Sequence, residues 1–542
     1  MSRNVVLEQV GGERIGERSG GRSGIVRAVA GPPLLIAGAA VGVVGDVLLR
    51  APGAPGLNIF ICVALISIAA LVLHAHDGAR LDRERLAWLV IAVSFAAGLA
   101  WRDSEPLKLF ALGCVTLAFA LAAYRPAAGW VRRAGVLRYV RAWGTGALHA
   151  WTAAARVLLD TARSIPRAET GNAGWRNSIA ILRGLAIATP LLLVFGALFM
   201  SADAVFADMV LNVLRVDFDL IASHVLLFSF AAWLTTGYLR GFLTGTELPP
   251  LQDLLRGGAL LELVPRRRPA LSITEVATAL AALDLLFLAF VAVQFRYLFG
   301  GDALVQVTPD LTYAEYARRG FFELVFAVAL VVPVLLGADW LLVRRRLRDH
   351  VVFRSLAGVQ IGLVLGITAS ALHRLRLYHG TYGLTESRFF AMVLLFWIGA
   401  MLLWFAVTVL RGRRGSFAFG ALASGLATIA SLFVINPDAI IARTNVARME
   451  SADASVRFDV AYATSLSGDA VPVLIDALPS LPGDAQCPLA RHMLRRWAPD
   501  RERSIRTWSW SSSRASDAVR EHEALLRSMV GPDQTCAAPG GG

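Results

Sequence analysis

Charge is what this chain has least of. Asp, Glu, Lys and Arg make up 17% of its 542 residues, against about a quarter in an ordinary soluble domain, and Lys108 is the only lysine. With 56% hydrophobic residues and a mean hydropathy of +0.57, the chain is excluded from the soluble globular class. Soluble-enzyme signatures are also missing: no phosphate-binding GxxxxGK[ST] loop, no GxGxxG, no HExxH and no GxSxG elbow occurs. His74, His76 and Asp77 are close in sequence, but two histidines two apart on a helix point away from each other, so this is read as a solvated helix end. No metal site and no cofactor is predicted.

Cysteine is scarce as well, with four residues. Cys62 and Cys114 fall inside apolar runs and act as small apolar side chains. Cys487 and Cys536 form the remaining pair; in an oxidising compartment they are expected to form a disulfide.

What the chain has in abundance is long apolar runs. Crossing about 30 Å of hydrocarbon takes roughly 20 apolar residues. About eleven such runs are bounded by charge, near 30–49, 57–74, 86–101, 106–124, 179–200, 219–239, 273–298, 321–343, 351–373, 389–410 and 416–435. The predicted fold is an all-α polytopic membrane bundle with a small helical C-terminal domain. The net charge of +13 comes from arginines concentrated in alternate loops, an orientation signal rather than a nucleic-acid surface. It predicts a cytoplasmic N-terminus and an extracytoplasmic C-terminus. Membrane lipids are the expected partners, with no nucleic acid.

Five segments follow. Residues 1–26 read as a disordered cytoplasmic tail. Residues 27–124 carry four spans, the first with a Gly38-xxx-Gly42 spacing that suits close helix approach. Within the basic loop 125–178, residues 138–165 set Leu148, Trp151, Val157 and Leu158 on one face with Arg138, Arg141, Arg156 and Arg163 around them, a pattern for the inner membrane surface. Residues 179–435 form a seven-span core. Residues 436–542 form a soluble or surface-docked domain, with Asp469 and Pro472 opening a helix and Trp497, Trp508 and Trp510 available for a core or an interface belt.

Ionisable groups in a membrane chain mark candidate function. Span seven delivers Arg296 outward, and the hinge after it adds Tyr313, Glu315, Tyr316, Arg318 and Arg319. Span nine ends in His373, Arg374 and Arg376, followed by Tyr378, Tyr382, Glu386 and Arg388. Span eleven ends at Asn436 and Asp438, with Arg443, Asn445 and Arg448 beyond. Such arginines with aromatic neighbours suit an anionic head group, a small anion or a partner, because the guanidinium fork matches phosphate oxygens. The bland counterpart is an interfacial belt of Tyr with snorkelling Arg. Asp284, inside span seven, is either a proton- or cation-coupling group or a helix–helix hydrogen bond. The leading expectation is therefore a non-enzymatic membrane protein with a site at the outer ends of spans seven, nine and eleven. A transferase using a polyprenyl-linked donor, with Asp46 as its acid, and a secondary transporter are the alternatives.

The blocks Leu283-Asp-Leu-Leu-Phe through Gln294-Phe-Arg-Tyr-Leu-Phe-Gly-Gly301, Thr312 to Leu324, Ser370 to Tyr378, Tyr382 to Thr385 and Asn436 to Asn445 resemble an uncharacterised bacterial multi-pass family, domain of unknown function 4173, over roughly residues 180–515. The likeness implies a bacterial cytoplasmic-membrane protein and carries no activity, cofactor or catalytic residue. The family's Trp-Arg-x-Trp-Asn-like element is replaced here by Arg506-Thr-Trp508-Ser-Trp510-Ser.

Overall fold

A computed structural model describes residues 31–50, 53, 55–78, 82–124, 131–164, 203, 218–245, 271–299, 321–343, 346–451, 458–497, 504–530 and 536. Among them the regular structure is helical, with one isolated bridge between Leu271 and Leu342. Among the described residues, ten helices are long and apolar enough to cross a membrane, and each coincides with a predicted run. The run at 179–200 lies outside the described residues.

Helices α1 (Gly31–Leu49), α2 (Leu57–His76), α3 (Arg83–Trp101) and α4 (Glu105–Ala123) begin the bundle. Only Arg102 to Ser104 separate α3 from α4, and the two pack as a hairpin. Helix α5 (Val136–Ser164) precedes α6 (Phe218–Thr244), and these six share a core that includes Leu89, Leu99, Leu107, Leu121 and Phe242. The glycine spacing in α1 finds its partner in α6. A Cβ at Gly42 would lie 2.8 Å from Ala232 Cβ and 3.0 Å from the Phe228 carbonyl, so side chains there would force the helices apart.

A second group comprises α7 (Ile273–Phe299), α8 (Phe321–Leu341), α9 (Leu347–Tyr382) and α10 (Glu386–Thr408), packed around Leu280, Val328, Phe353, Val364 and Phe405. Helix α11 (Arg414–Ile435) joins the groups: Phe417 packs in the second core, Ala418 and Phe433 in the first. At 36 residues, α9 is roughly 54 Å long, well beyond the hydrocarbon thickness. Its last turns carry His373, Arg374, Arg376 and His379, and that polarity ended the predicted run early.

Asn436 makes the corner between membrane and tail. It adopts the left-handed conformation at φ 60°, tolerated by Asn, and closes α11. Its side chain accepts from Ala439 N at 3.3 Å, and Pro437 opens α12 (Pro437–Ser451), so one residue stops one helix and starts the next. Five short helices complete the tail: α13 (Val460–Ser465), α14 (Val471–Ala477), α15 (Gly483–Arg496), α16 (Trp510–Glu521) and α17 (Glu523–Met529). They enclose Leu474, Leu478, Leu489, Met493, Trp497 and Val519. Trp510 is exposed. Cys487 and Cys536 are disulfide-bonded, with Cα atoms 5.7 Å apart.

The amphipathic segment folds as α5, with one departure from its predicted face. Leu148, Trp151 and Leu158 are exposed, whereas Val157 is buried with Tyr139, Ala142, Ala153 and Ala154 against the bundle. The helix thus has an inward seam of small side chains and a separate outward apolar stripe.

Candidate functional site

The tail docks where α3, α10 and α11 end or begin, through a network rooted in the lone lysine. Lys108 Nζ pairs with Asp103 at 2.6 Å. The Asp103 backbone N–H donates to Asp469 Oδ2 at 2.9 Å, and Arg102 Nη1 donates to Asp469 Oδ1 at 2.9 Å. Arg102 Nε then reaches the Phe433 carbonyl at 2.7 Å. Asp469, read from sequence as a helix-opening acid, is the pin that holds the tail to the α3–α4 turn. A second anchor joins the start of α2, where Leu57 N donates to the Trp508 carbonyl at 3.0 Å. Gly56 is required beneath it, because a Cβ would lie 2.6 Å from that oxygen.

Beside this dock, Glu386 at the head of α10 faces Asp438 in the first turn of α12. Asp438 is fully buried; its Oδ2 accepts from the backbone N and hydroxyl of Ser467, and its carboxyl is in hydrogen-bonding contact with that of Glu386. Two carboxyls bond only when one carries a proton. Burial first, then the charge of Asp469, pushes Asp438 above the ordinary carboxylate range, against the Ser467 hydrogen bonds.

A cavity of about 270 Å³ opens next to the pair, between the α9–α10 turn, α12 and the head of α13. Tyr382, Arg388, Asn445, Arg448, Asp459 and Tyr462 supply its polar lining. Asn445 braces the wall: Leu384 N donates to its Oδ1 at 2.7 Å, and its Nδ2 donates to the Leu384 carbonyl at 2.9 Å. Gly383, at φ 80°, makes the turn, and a Cβ there would sit 2.8 Å from Asn445 Oδ1. Arg388 donates to the Gly383 carbonyl. Tyr462 accepts from Glu386 N at 2.7 Å, and burial pushes its hydroxyl up to about 12. Burial, with Arg388 as a second cause, lowers Arg448. An anion in the cavity would offset the mutual repulsion of Arg388 and Arg448.

The predicted site residues therefore divide. Tyr382, Arg388 and Asn445 meet at the cavity, and Asp438 lies behind it. Asn436 has a turn-forming role. His373, Arg376 and Arg443 are exposed and Arg374 is half-buried. Tyr313, Glu315, Tyr316, Arg318, Arg319 and the side chains of Arg296 and Tyr378 lie outside the described residues. Asp284 is buried on the face of α7 that packs on α9, and neither carboxyl oxygen has a hydrogen-bond partner among the described residues. Asp46 is held by Arg50 at 2.8 Å and His224 Nδ1 at 2.5 Å. His74 stacks edge-on against Phe242 at 6.0 Å. Sequence reasoning missed the Arg102–Asp103–Lys108 turn, Asp459, Tyr462 and Ser467. Arg102 meets Asp469 across 367 residues, Tyr462 meets Glu386 across 76 and Ser467 meets Asp438 across 29; only the short polar break between two apolar runs hinted at the first.

A family model described as Domain of unknown function (DUF4153) matches residues 85–477. No curated protein and no solved structure matches the chain. The matching family carries a different number from the resemblance drawn above, and its match includes the third and fourth spans, which that resemblance left out.

Proposed function

We propose, for a chain that belongs to the DUF4153 family of membrane proteins and inherits no activity from it, a non-enzymatic role in which the tail-side cavity holds an anionic, phosphate-bearing lipid head group. The observation that carries this reading is the convergence of Arg388 and Arg448 on one cavity braced by Asn445 and roofed by the tail. A volume of about 270 Å³ equals that of roughly nine water molecules. It suits a head group whose acyl chains lie outside along the bundle, and it is too small for a whole lipid. In this reading the tail faces outward from the membrane, in line with the arginine-poor loops on its side.

Native mass spectrometry of the purified chain tests it. Wild type is expected to retain anionic phospholipid, and the Arg388→Gln/Arg448→Gln variant to lose at least about tenfold of it, whereas Arg376→Gln, on the exposed surface, leaves it unchanged. Equal retention by all three would sink the head-group reading; retention of free phosphate without lipid would replace it with a small-anion site.

A further inference from the structure

A second cavity, of about 300 Å³, lies on the opposite side of the bundle beneath α5, walled by α2, α4, α5 and α6. Ile66, Phe119, Ala120, Trp143 and Leu234 give it an apolar lining. The helices around it cross closely: a Cβ at Gly237 would fall 1.8 Å from the Ala150 carbonyl, and one at Gly146 would fall 3.1 Å from Ala120 Cβ. The space is thus set by backbone contacts and is not a gap that a rotamer change closes.

Two polar atoms in this wall have no hydrogen-bond partner among the described residues. His149 is 8% exposed and its Nε2 is buried without a partner; the Tyr238 hydroxyl is likewise buried without one. Both residues line the cavity. Leaving such a group unsatisfied costs about 1–3 kcal/mol, and most buried polar groups are bonded. Other polar groups nearby are already engaged. Trp143 Nε1 donates to Thr116 Oγ1 at 3.3 Å, and Arg240 pairs with Asp160 at 3.0 Å. Burial, reinforced by the Arg156 and Arg240 charges, lowers the His149 pKa, so its imidazole is neutral. The wall offers one phenol and one neutral imidazole against hydrocarbon and aromatic surface, which disfavours a charged occupant.

We propose that this cavity binds a lipid-soluble molecule with an apolar body and an uncharged carbonyl or hydroxyl oxygen, held by the Tyr238 hydroxyl and His149 Nε2. The apolar body packs on Phe119 and Trp143, and any longer chain runs out along the exposed stripe of α5 at Leu148 and Trp151. The proposal is independent of the anionic cavity.

Two probes with the same alkyl chain separate the oxygen from the apolar body: decylubiquinone, whose ring carries carbonyls, and decylbenzene, which has no oxygen. Binding is measured by calorimetry on the full chain in nanodiscs. Tyr238→Phe keeps the ring and removes a hydroxyl that bonds nothing among the described residues, so the variant is expected to fold. Wild type is expected to bind decylubiquinone saturably and roughly tenfold more tightly than decylbenzene, about one hydrogen bond's worth. Tyr238→Phe is expected to shrink that preference, and Tyr238→Phe/His149→Leu to abolish it. Equal affinity for the two probes, no saturable binding because only water fills the space, or a preference unchanged in both variants overturns the proposal.

Discussion

The two cavities are nearly equal in size and opposite in chemistry. One, at about 270 Å³, is lined by two arginines, an amide, a carboxylate and phenols; the other, at about 300 Å³, is apolar with one imidazole and one hydroxyl. The difference follows from how each is built. The tail-side cavity forms where helix ends, a left-handed Gly383 turn and the docked helical tail meet, so charged side chains gather there. The other lies between helices brought close by glycines, where an ionised group would be costly. Tertiary docking governs the first and helix packing the second, so damage to the tail should separate them.

Asp469→Ala should separate them most strongly. It strands Arg102, 13% exposed, and removes the acceptor for Asp103 N; breaking a buried pair in this way costs about 3–5 kcal/mol. The tail is expected to become protease-sensitive and anionic lipid retention to fall, with decylubiquinone binding intact. If both activities fall together, the cavities are not independent. Reducing the Cys487–Cys536 bond should cost the tail about 3 kcal/mol, read as a lower melting temperature in dithiothreitol; an unchanged melt would show that the bond does not support the dock. Asn445→Ala removes both bonds to Leu384 and should cost about 2 kcal/mol, with weaker lipid retention in the same preparation.

A smaller effect comes from Asp438. Its folded pKa is raised, chiefly by burial, so its contribution to docking is fully present below the ordinary aspartate value and is lost as pH rises through the folded value. Melting of the tail is expected to fall as pH is raised across that window, and Asp438→Asn to flatten the profile. A wild-type profile that rises across the same window would contradict the shared proton. The smallest effect is that of Tyr238→Phe, which should leave stability unchanged or raise it by up to about 1 kcal/mol, because the hydroxyl has no partner among the described residues.

Apolar length made the bundle legible. Each described spanning helix coincides with a run read from sequence, and the glycine spacing at Gly38 and Gly42 pointed to a close neighbour without saying it was α6. The far end of α9 exceeds its apolar run because a helix can continue past the last apolar residues through Arg and His. The cavity was partly visible as Arg- and Tyr-rich span ends, which brought Tyr382, Arg388 and Asn445 into view. Asp459, Tyr462 and Ser467 were not visible, because a single sequence carries no sign of which surface a helical tail docks upon. His149 and Tyr238 were hidden for another reason: each looks like ordinary helix punctuation until the neighbouring helix removes its access to water.

A structure of the protein in nanodiscs containing phosphatidylglycerol addresses the anionic site most directly. Density for a head-group phosphate between Arg388 and Arg448, beside Asn445 and under the docked tail, is the expected result. A cavity holding only water, or one closed by a side chain of the tail, would contradict it.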